Sequence, residues 1–257
     1  MSPSRTIDLN CDMGEFTDAA RIAIDLALLG IVTSANIACG GHAGDEATMS
    51  ETVRAAMELG VAVGAHPGYP DRARFGRVEI EMPPRAIEES VTKQILALMA
   101  VADRLGAPVG HVKPHGALYH TAMKKPDVAQ AIARAVQRTL PKAILVGQAG
   151  NPMLDRWRSM GMRVAAEAFA DRRYELDGAL RSRTLPGALI EAPAEAAAQA
   201  LRIARGEGVL TAGGAVLPIR ADTTCIHSDT PGSVAIAGAV RDALRRAGIT
   251  IGPPRSG

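Results

Sequence analysis

Short apolar segments alternate with longer amphipathic segments along almost the whole chain, and this alternation limits the fold more than any other feature. Short runs rich in Val, Ile and Ala predict strands at residues 6–10, 32–36, 61–65, 109–113, 143–146, 163–166 and 223–227. Longer runs rich in Ala, Leu, Arg and Glu predict helices at residues 21–29, 45–59, 85–105, 128–140, 153–160, 194–206 and 233–247. Strands that alternate with helices across short connections pair in parallel, so the pattern predicts an α/β fold.

The length of the chain suits one large α/β domain or two small ones, since it has 257 residues. No linker rich in Pro or Ser and no block of like charge divides it, so we predict a single domain over residues 1–257. Residues 172–189 are polar and contain the turn formers Gly178, Pro186 and Gly187. This composition predicts an irregular or inserted segment there.

The composition excludes several classes of protein. The formal net charge is only +2 and aromatic residues make up 3% of the chain, which argues against binding to nucleic acid. The sequence has no apolar run of about 18 residues, so we expect no membrane span. Three widely spaced cysteines, Cys11, Cys39 and Cys225, form no C-x-x-C unit, and the N-terminus lacks an apolar signal core. We therefore expect a cytoplasmic protein with reduced thiols.

Ionisable side chains, mixed with Gly and Pro, collect where the predicted strands end. The clusters contain Asp8, Asn10, Asp12 and Glu15; Asn36, Gly40, Gly41, His42 and Asp45; His66; Lys113, His115 and Tyr119; Glu167 and Asp171; and Asp222 and His227. The loops at the opposite strand ends, such as 59–60 and 106–108, hold almost no ionisable residues. Ligands bind at the carboxyl ends of the strands in parallel α/β folds, so the asymmetry predicts one active face.

Two of these clusters suggest acid–base chemistry. Asp8 and Asp12 share a face with Asn10 through the two-residue period of a strand, and two nearby carboxylates can divide into an ionised and a protonated partner. Capping of the next helix explains Asp12 and Glu15 equally well. Lys113 and His115 also stand two residues apart and would face one side, which suits an anionic ligand or a base beside an electrophile.

The histidines leave a metal site open as an alternative. Asp8 or Asp12, together with His42, His66 and His115, would supply mixed nitrogen and oxygen ligands. No local spacing of the H-E-x-x-H kind enforces such a site. The sequence also lacks a P-loop, a G-x-G-x-x-G turn after a strand and a G-x-S-x-G elbow, so none of these motifs assigns a function.

Seven segments of the chain resemble the LamB/YcsF family, in the family's order. They are 7–15 (IDLNCDMGE), 33–40 (TSANIACG) with 42–45 (HAGD), 64–71 (GAHPGYPD), 75–77 (FGR), 111–119 (HVKPHGALY), 167–172 (EAFADR) and 221–227 (ADTTCIH). The resemblance implies a distorted (β/α) barrel of about seven strands, similar to the glycoside hydrolase/deacetylase superfamily. It also implies a part in opening the lactam of 5-oxo-L-proline to L-glutamate, coupled to ATP hydrolysis and shared with partner subunits B and C.

The residues and the resemblance together predict a site. We expect Asp12 or His42 to act as the base for water and His115 as the acid for the leaving nitrogen. Lys113, with the Gly40-Gly41 loop, would balance phosphate or oxyanion charge. The expected substrate-binding residues are Asp8, Asn10, Asn36, Gly40, Gly41, Asp45, His66, Tyr119 and Asp222. The resemblance makes ATP the expected co-substrate and leaves a divalent metal open.

The chain departs from the family pattern in three places, and two other functions stay open. Loop 16–21 looks shorter than the family norm, Gly41 stands where a bulky aromatic residue is usual, and segment 179–183 differs from the common pattern. These departures bear on substrate and partner choice more than on the fold. The other functions are a metal-dependent amidohydrolase or deacetylase that acts alone, and a non-catalytic subunit that binds a small acid.

Overall fold

A closed barrel of parallel strands forms the centre of the molecule in a computed structural model that describes residues 6–256. The strands are β1 (Thr6–Met13), β2 (Ser34–Ala38), β3 (Ala62–His66), β4 (Val109–Val112), β5 (Ile144–Gln148), β6 (Arg163–Phe169), β7 (Val209–Leu210), β8 (Val216–Leu217), β9 (Thr223–Cys225) and β10 (Thr250–Ile251). Within residues 6–256, seven of them pair in the order β1-β2-β3-β4-β5-β6-β9, and β9 pairs back onto β1. The predicted barrel of about seven strands is therefore confirmed.

Helices surround the barrel because most strands lead into one. They are α1 (Ala19–Leu29), α2 (Glu46–Glu58), α3 (Pro84–Leu105), α4 (Gly116–Lys124), α5 (Pro126–Thr139), α6 (Met153–Ser159), α7 (Pro193–Arg205) and α8 (Ser233–Arg246). α5 shows how they pack: Val128, Ile132 and Val136 recur at helical spacing on one face and are all buried. Trp157 of α6 is fully buried, and its indole N–H donates to the carbonyl of Ala129, 2.8 Å away.

Local chemistry fixes the ends of these helices where the sequence predicts it. Asp45 begins α2 with a capping box, in which its side chain accepts from the backbone of Thr48. Pro84 occupies the first turn of α3, and Gly106 ends that helix with φ of 74°. Glycine takes such a positive φ without strain. These boundaries set where each loop leaves the barrel.

Four elements were missed by the pattern of apolar residues. α4 follows His115 directly and has no side-chain cap, so its first turn was interpreted as part of a polar loop. β7 and β8 form a two-residue antiparallel pair, and β10 pairs with β1 through Thr6 and Thr250. Such short strands carry too little periodicity to be recognised.

The predicted irregular segment 172–189 makes isolated antiparallel bridges between Arg172 and Leu189 and between Tyr174 and Leu180. Of the single domain predicted over 1–257, residues 1–5 and 257 lie outside the described residues. All three cysteines are buried and free. In the described part of the chain, no helix is both long enough and apolar enough to cross a bilayer.

Candidate active site

A cavity of about 340 Å³ opens at the carboxyl ends of the barrel strands. It is lined by Asp12, Glu15, His66, Arg77, Lys113, Pro114, His115, Gly116, Ala117, Tyr119, His120, Phe169, Arg172, Leu180, Ser182, Arg183, His227, Ser228 and Asp229. The loops after β1, β3, β4, β6 and β9 all contribute to this wall. The predicted active face therefore coincides with a cavity large enough for a small metabolite.

Every second side chain of β1 points into the barrel, and each of these lies closer to the cavity than the one before it. Asp8, the deepest, accepts hydrogen bonds from Ser34, Thr33 and Thr223, and burial raises its pKa to about 6. It does not line the cavity, whereas Asp12, two pleats further on, does. The two carboxylates share one face, as the strand period predicts, but only Asp12 can reach a ligand in the cavity.

The base of the cavity, which we call the floor, consists of Lys113, Asp12 and Glu167. The Lys113 ammonium lies 3.0 Å from Asp12 Oδ1 and 2.8 Å from Glu167 Oε1, and all three side chains are almost fully buried. Burial alone would lower the pKa of Lys113, but Asp12 and Glu167 raise it well above its ordinary value. Burial likewise opposes ionisation of Asp12, and His66 and Lys113 overcome it to hold its pKa well below the usual range. Asp12 and Lys113 are therefore both charged at neutral pH.

Amide side chains beneath the floor hold it in place. Asn36 Nδ2 donates to Asn10 Oδ1 at 2.8 Å and to Asp12 Oδ1 at 2.9 Å. His111 Nε2 lies 2.9 Å from Asn36 Oδ1, and its ring fills the space over Gly64, where a Cβ atom would stand 2.1 Å from that nitrogen. Burial and the charge of Lys113 lower the pKa of His111 to about 3, so the imidazole is neutral at neutral pH. In this neutral state, its Nε2–H donates a hydrogen bond to Asn36 Oδ1.

A second cluster, which we call the imidazole cluster, consists of Glu15, His42, His66 and His115. Glu15 Oε1 lies 3.0 Å from His42 Nε2, 3.2 Å from His115 Nδ1 and 4.0 Å from His66 Nε2. The rings of His42 and His115 stack with centroids 3.6 Å apart, and His66 Nε2 is 3.3 Å from Asp12 Oδ2. Asp12 thus joins the imidazole cluster to the floor.

Charge within this cluster is concentrated on Glu15. Burial would raise the pKa of Glu15, but hydrogen bonds from His115 and His42 lower it well below its ordinary value. Burial lowers the pKa of His42 to about 4, which keeps that imidazole neutral. Burial also opposes protonation of His66, but the charge of Asp12 raises its pKa. The cluster therefore contains an ionised carboxylate among imidazoles of different basicity.

The four side chains could hold a metal ion, because one ligating atom from each lies within 4.8 Å of the others. Two of the imidazoles are oriented by backbone carbonyls: His66 Nδ1 contacts the carbonyl of Lys113 at 2.7 Å, and His115 Nε2 contacts that of Phe75 at 3.0 Å. Their other nitrogens face Glu15. Metal-bound histidines show this orientation through a second hydrogen bond, so the donor set fits a divalent cation.

Small residues make room for the stacked imidazoles. A Cβ atom on Gly68 would come within 2.7 Å of His42 Nδ1, and one on Gly76 within 2.7 Å of the His42 Cβ atom. Gly76 also has a φ of 61°, which disfavours a side chain there. Gly41 leaves room for the Gln94 amide, which hydrogen-bonds both backbone groups of Gly68; a Cβ atom at Gly41 would force that amide to move. The glycine at position 41, where the family usually has an aromatic residue, thus leaves space for the Gln94–Gly68 contact beside His42.

Comparison with known proteins identifies the family of the chain. A profile of the LamB/YcsF family matches residues 7–256. The chain belongs to the LamB/YcsF family. It is 52% identical over 250 residues to the A subunit of 5-oxoprolinase from Chloroflexus aggregans, covering 97% of this chain and 99% of that one.

Two further relatives of this LamB/YcsF chain show the same extent of similarity. It is 44% identical over 247 residues to the A subunit of 5-oxoprolinase from Brevibacillus brevis, covering 96% of this chain and 97% of that one. The crystal structure of the lactam utilization protein from Thermus thermophilus superimposes with a TM-score of 0.90 at 42% identity, over 96% of this chain and 99% of that one. The similarity therefore covers the whole barrel.

The LamB/YcsF barrel brings some of the predicted site residues to the cavity and leaves others away from it. The predicted residues that line the cavity are Asp12, His66, Lys113, His115 and Tyr119. Those behind or beneath its wall are Asp8, Asn10, Asn36 and His42. Gly40 and Gly41 precede His42 without lining the cavity, Asp45 caps α2, and Asp222 accepts from the backbone N–H of Ala166 at 2.8 Å.

Several residues of the site were missed or were given another role. Glu167 accepts hydrogen bonds from the Tyr119 hydroxyl at 2.9 Å and from Asn10 Nδ2 at 3.0 Å, so it connects the floor to both side chains. Glu15 was interpreted as a helix cap. Asp171 lies 3.0 Å from His227 Nδ1, which places that imidazole at the cavity wall. Their position after strands was a usable signal, but their partners come from strands far away in sequence.

Proposed function

We propose that this LamB/YcsF chain is the A subunit of an ATP-dependent 5-oxoprolinase, which opens the lactam of 5-oxo-L-proline to L-glutamate. The relatives named as A subunits of 5-oxoprolinase and the structure named a lactam utilization protein support this function. The observation that carries it is the cavity, where the Lys113 ammonium stands between two carboxylates beside His66 and His115. Such a site can hold a small acid and move protons around its amide bond.

The charge states assign a role to each group that faces the cavity. His66 and Lys113 keep Asp12 ionised, so this carboxylate can accept a proton from the attacking water. The Lys113 ammonium can stabilise negative charge that develops on the lactam oxygen. His115 can deliver a proton to the departing ring nitrogen. Since Gly40 and Gly41 do not line the cavity, we assign the balance of charge to Lys113.

ATP enters this proposal as the co-substrate of an assembled enzyme. Transfer of the γ-phosphoryl group to the lactam oxygen would release ADP and turn a stable amide into a better electrophile. Water would then add to the ring carbon, and departure of the protonated ring nitrogen would leave an acyl phosphate, which a second water would hydrolyse to glutamate and inorganic phosphate. We infer that subunits B and C complete the enzyme, because the relatives are named as subunits. Free, buried thiols are consistent with assembly in the cytoplasm.

The imidazole cluster favours a second candidate, a metal-dependent amidohydrolase. Glu15, His42, His66 and His115 would hold a divalent cation, which supplies Lewis-acid polarisation of a carbonyl group when it is bound. Asp12 would keep its role as base, because it stands outside this ligand set and lines the cavity. His115 would then be held as a ligand and would not serve as the acid.

Reconstituted enzyme tests the two candidates. ADP and glutamate are measured with 5-oxoproline, with and without subunits B and C, for the wild type, Asp12→Asn and the control Asp155→Asn, which makes the same change on an exposed part of α6. We expect Asp12→Asn to lower turnover by about 10²- to 10⁴-fold and the control to match the wild type. Unchanged turnover in Asp12→Asn would remove the assignment. Activity without ATP or partners that is lost on chelation would favour the amidohydrolase.

A further inference from the structure

The cavity is lined by four permanently cationic side chains, and three of them have carboxylate partners. Lys113 is paired with Asp12 and Glu167 in the floor. Arg77 and Arg183 both bind Asp229, at 2.6 Å and 3.0 Å. The fourth, Arg172, has no carboxylate oxygen within 4.0 Å among residues 6–256. One positive charge at the cavity wall is therefore left without a counter-ion.

Arg172 is also buried, since only 6% of its surface is exposed. Its one hydrogen bond from the guanidinium runs from Nη2 to the carbonyl of Arg181 at 2.8 Å, and its Nε atom has no partner among the described residues. Burial and the nearby charge of Arg183 lower the pKa of Arg172. A buried guanidinium without a counter-ion is unfavourable unless an anion completes its hydrogen bonds.

The backbone around Arg172 holds the guanidinium in a fixed place. Arg172 pairs with Leu189 in an antiparallel bridge, and its carbonyl accepts from Gln199 of α7 at 2.8 Å. The neighbouring acid Asp171 is engaged by His227 and Thr230, so its charge, like that of Asp229, acts on Arg172 only from beyond ion-pair distance. These contacts, with the Nη2 hydrogen bond to Arg181, hold Arg172 at the cavity wall, where a guanidinium can bind a planar carboxylate.

We propose that Arg172 binds the carboxylate of the small acid that enters the cavity, and that it selects acids over neutral lactams. The proposal rests on the proposed function, which supplies 5-oxoproline as that acid. Of the four cations, Arg172 alone lacks a carboxylate within 4.0 Å among the described residues, and the carboxylate of a monoanion would supply one. The carboxylate would lie against Arg172 while the lactam ring reaches toward Lys113 and Asp12 on the floor.

The ligand side of this proposal can be tested without any variant. Binding of 5-oxoproline and of 2-pyrrolidinone, which has the same lactam ring and no carboxylate, is measured by calorimetry with the full chain and with the assembled enzyme. Charge-assisted hydrogen bonds of this kind predict about 10- to 100-fold tighter binding of the acid. Equal affinities for the two ligands would overturn the proposal.

Variants then identify the side chain. In Arg172→Gln the preference for the acid should disappear through a rise of about 10- to 100-fold in Kd and KM, with a much smaller change in kcat. Arg172→Lys should recover part of the affinity, because it keeps the charge and loses the fork. The matched control is Arg77→Gln, which also removes a cation from the cavity wall but one that Asp229 already neutralises. We expect it to alter the preference by less than about threefold.

The outcomes separate this proposal from the proposed function. If the wild type turns over 5-oxoproline and Arg172→Gln keeps its preference for the acid, only the role of Arg172 fails. If inorganic phosphate competes with 5-oxoproline in the wild type and not in Arg172→Gln, while the preference over 2-pyrrolidinone persists in the variant, the residue binds phosphate and the carboxylate assignment is overturned. If the wild type neither binds nor turns over 5-oxoproline, both proposals fail together.

Discussion

The floor and the rim of the cavity differ in how many carboxylates they provide for each cation. In the floor, Lys113 lies within 3.0 Å of two carboxylates, so its charge is neutralised inside the protein. The rim, which we define as Arg77, Arg172 and Arg183, has one carboxylate, Asp229, for three guanidinium groups. Charges that are paired inside the protein can be held rigidly in place for chemistry, whereas a guanidinium without a bound carboxylate is available for a ligand. The comparison predicts different outcomes for the same kind of substitution in the two places.

Removal of the cation from the floor should have the largest effect on both stability and turnover. Lys113→Met leaves Asp12 and Glu167 buried without the ammonium that lies between them, so we expect the free energy of unfolding to fall by about 3–5 kcal/mol. Turnover should fall by about 10²- to 10³-fold. Chemical denaturation and glutamate formation measure the two effects, and Lys142→Met, an exposed lysine changed in the same way, is the control.

A second variant distinguishes lost charge balance from poor packing in the floor. Adding Glu167→Gln to Lys113→Met removes one of the unpaired carboxylates and should restore part of the stability without restoring turnover. A stability change below about 1 kcal/mol in Lys113→Met would contradict the picture of a tightly coupled floor.

The imidazole cluster should depend on Glu15 for any affinity for divalent cations. We expect Glu15→Gln to weaken zinc binding by at least about 10-fold, because it removes the anionic member of the ligand set. Competition with a chromogenic chelator measures the affinity, and Glu46→Gln on the exposed start of α2 is the matched control. Equal affinity in wild type and Glu15→Gln would show that the cluster is held by hydrogen bonds alone.

The amide frame beneath the floor should make stability sensitive to acid. Burial lowers the pKa of His111 to about 3 in the folded state, against about 6.5 in the unfolded chain. As the pH falls, the unfolded state therefore binds the proton first. Between pH 7.5 and pH 5.5, the titration of His111 lowers the free energy of unfolding by about 1.4 kcal/mol. His111→Gln should remove this part of the slope. Parallel stability curves for the two proteins would contradict the assignment of a neutral, buried imidazole.

The rim should be the most tolerant region where its charges are exposed. The Arg77 side chain is half exposed and shares Asp229 with Arg183, so Arg77→Gln should change the free energy of unfolding by less than about 1 kcal/mol. Thermal denaturation at low and high salt measures the effect. A loss above about 2 kcal/mol would mean that the rim is as tightly coupled as the floor.

The sequence predicted the alternation of strands and helices well, because each strand–helix unit is a local pattern, and the resemblance to the family supplied the closure into a barrel. The two-residue spacing of Lys113 and His115 and of Asp8, Asn10 and Asp12 correctly placed each group on one face, since strand alternation is also local. The depth of a side chain within the barrel depends on how distant strands assemble, so the local pattern does not show it. Asp8 faces inward like Asp12 but lies too far below the cavity to line it.

The partners of the site residues could not be predicted in the same way. Glu167 meets Asn10 and Lys113 only because β9 closes the barrel between β6 and β1. Glu15 looked like a helix cap, because its hydrogen bonds to His42 and His115 join loops far apart in sequence. The isolation of Arg172 depends on how segment 172–189 folds, which carries no periodicity.

A crystal structure with 5-oxoproline bound tests the central claim most directly. The account predicts the ligand in the cavity at the carboxyl ends of the strands, with its lactam group within hydrogen-bond distance of Lys113, Asp12 or His115 and its carboxylate against Arg172. A ligand bound outside this cavity, or bound in it with no contact to the floor, would contradict the account.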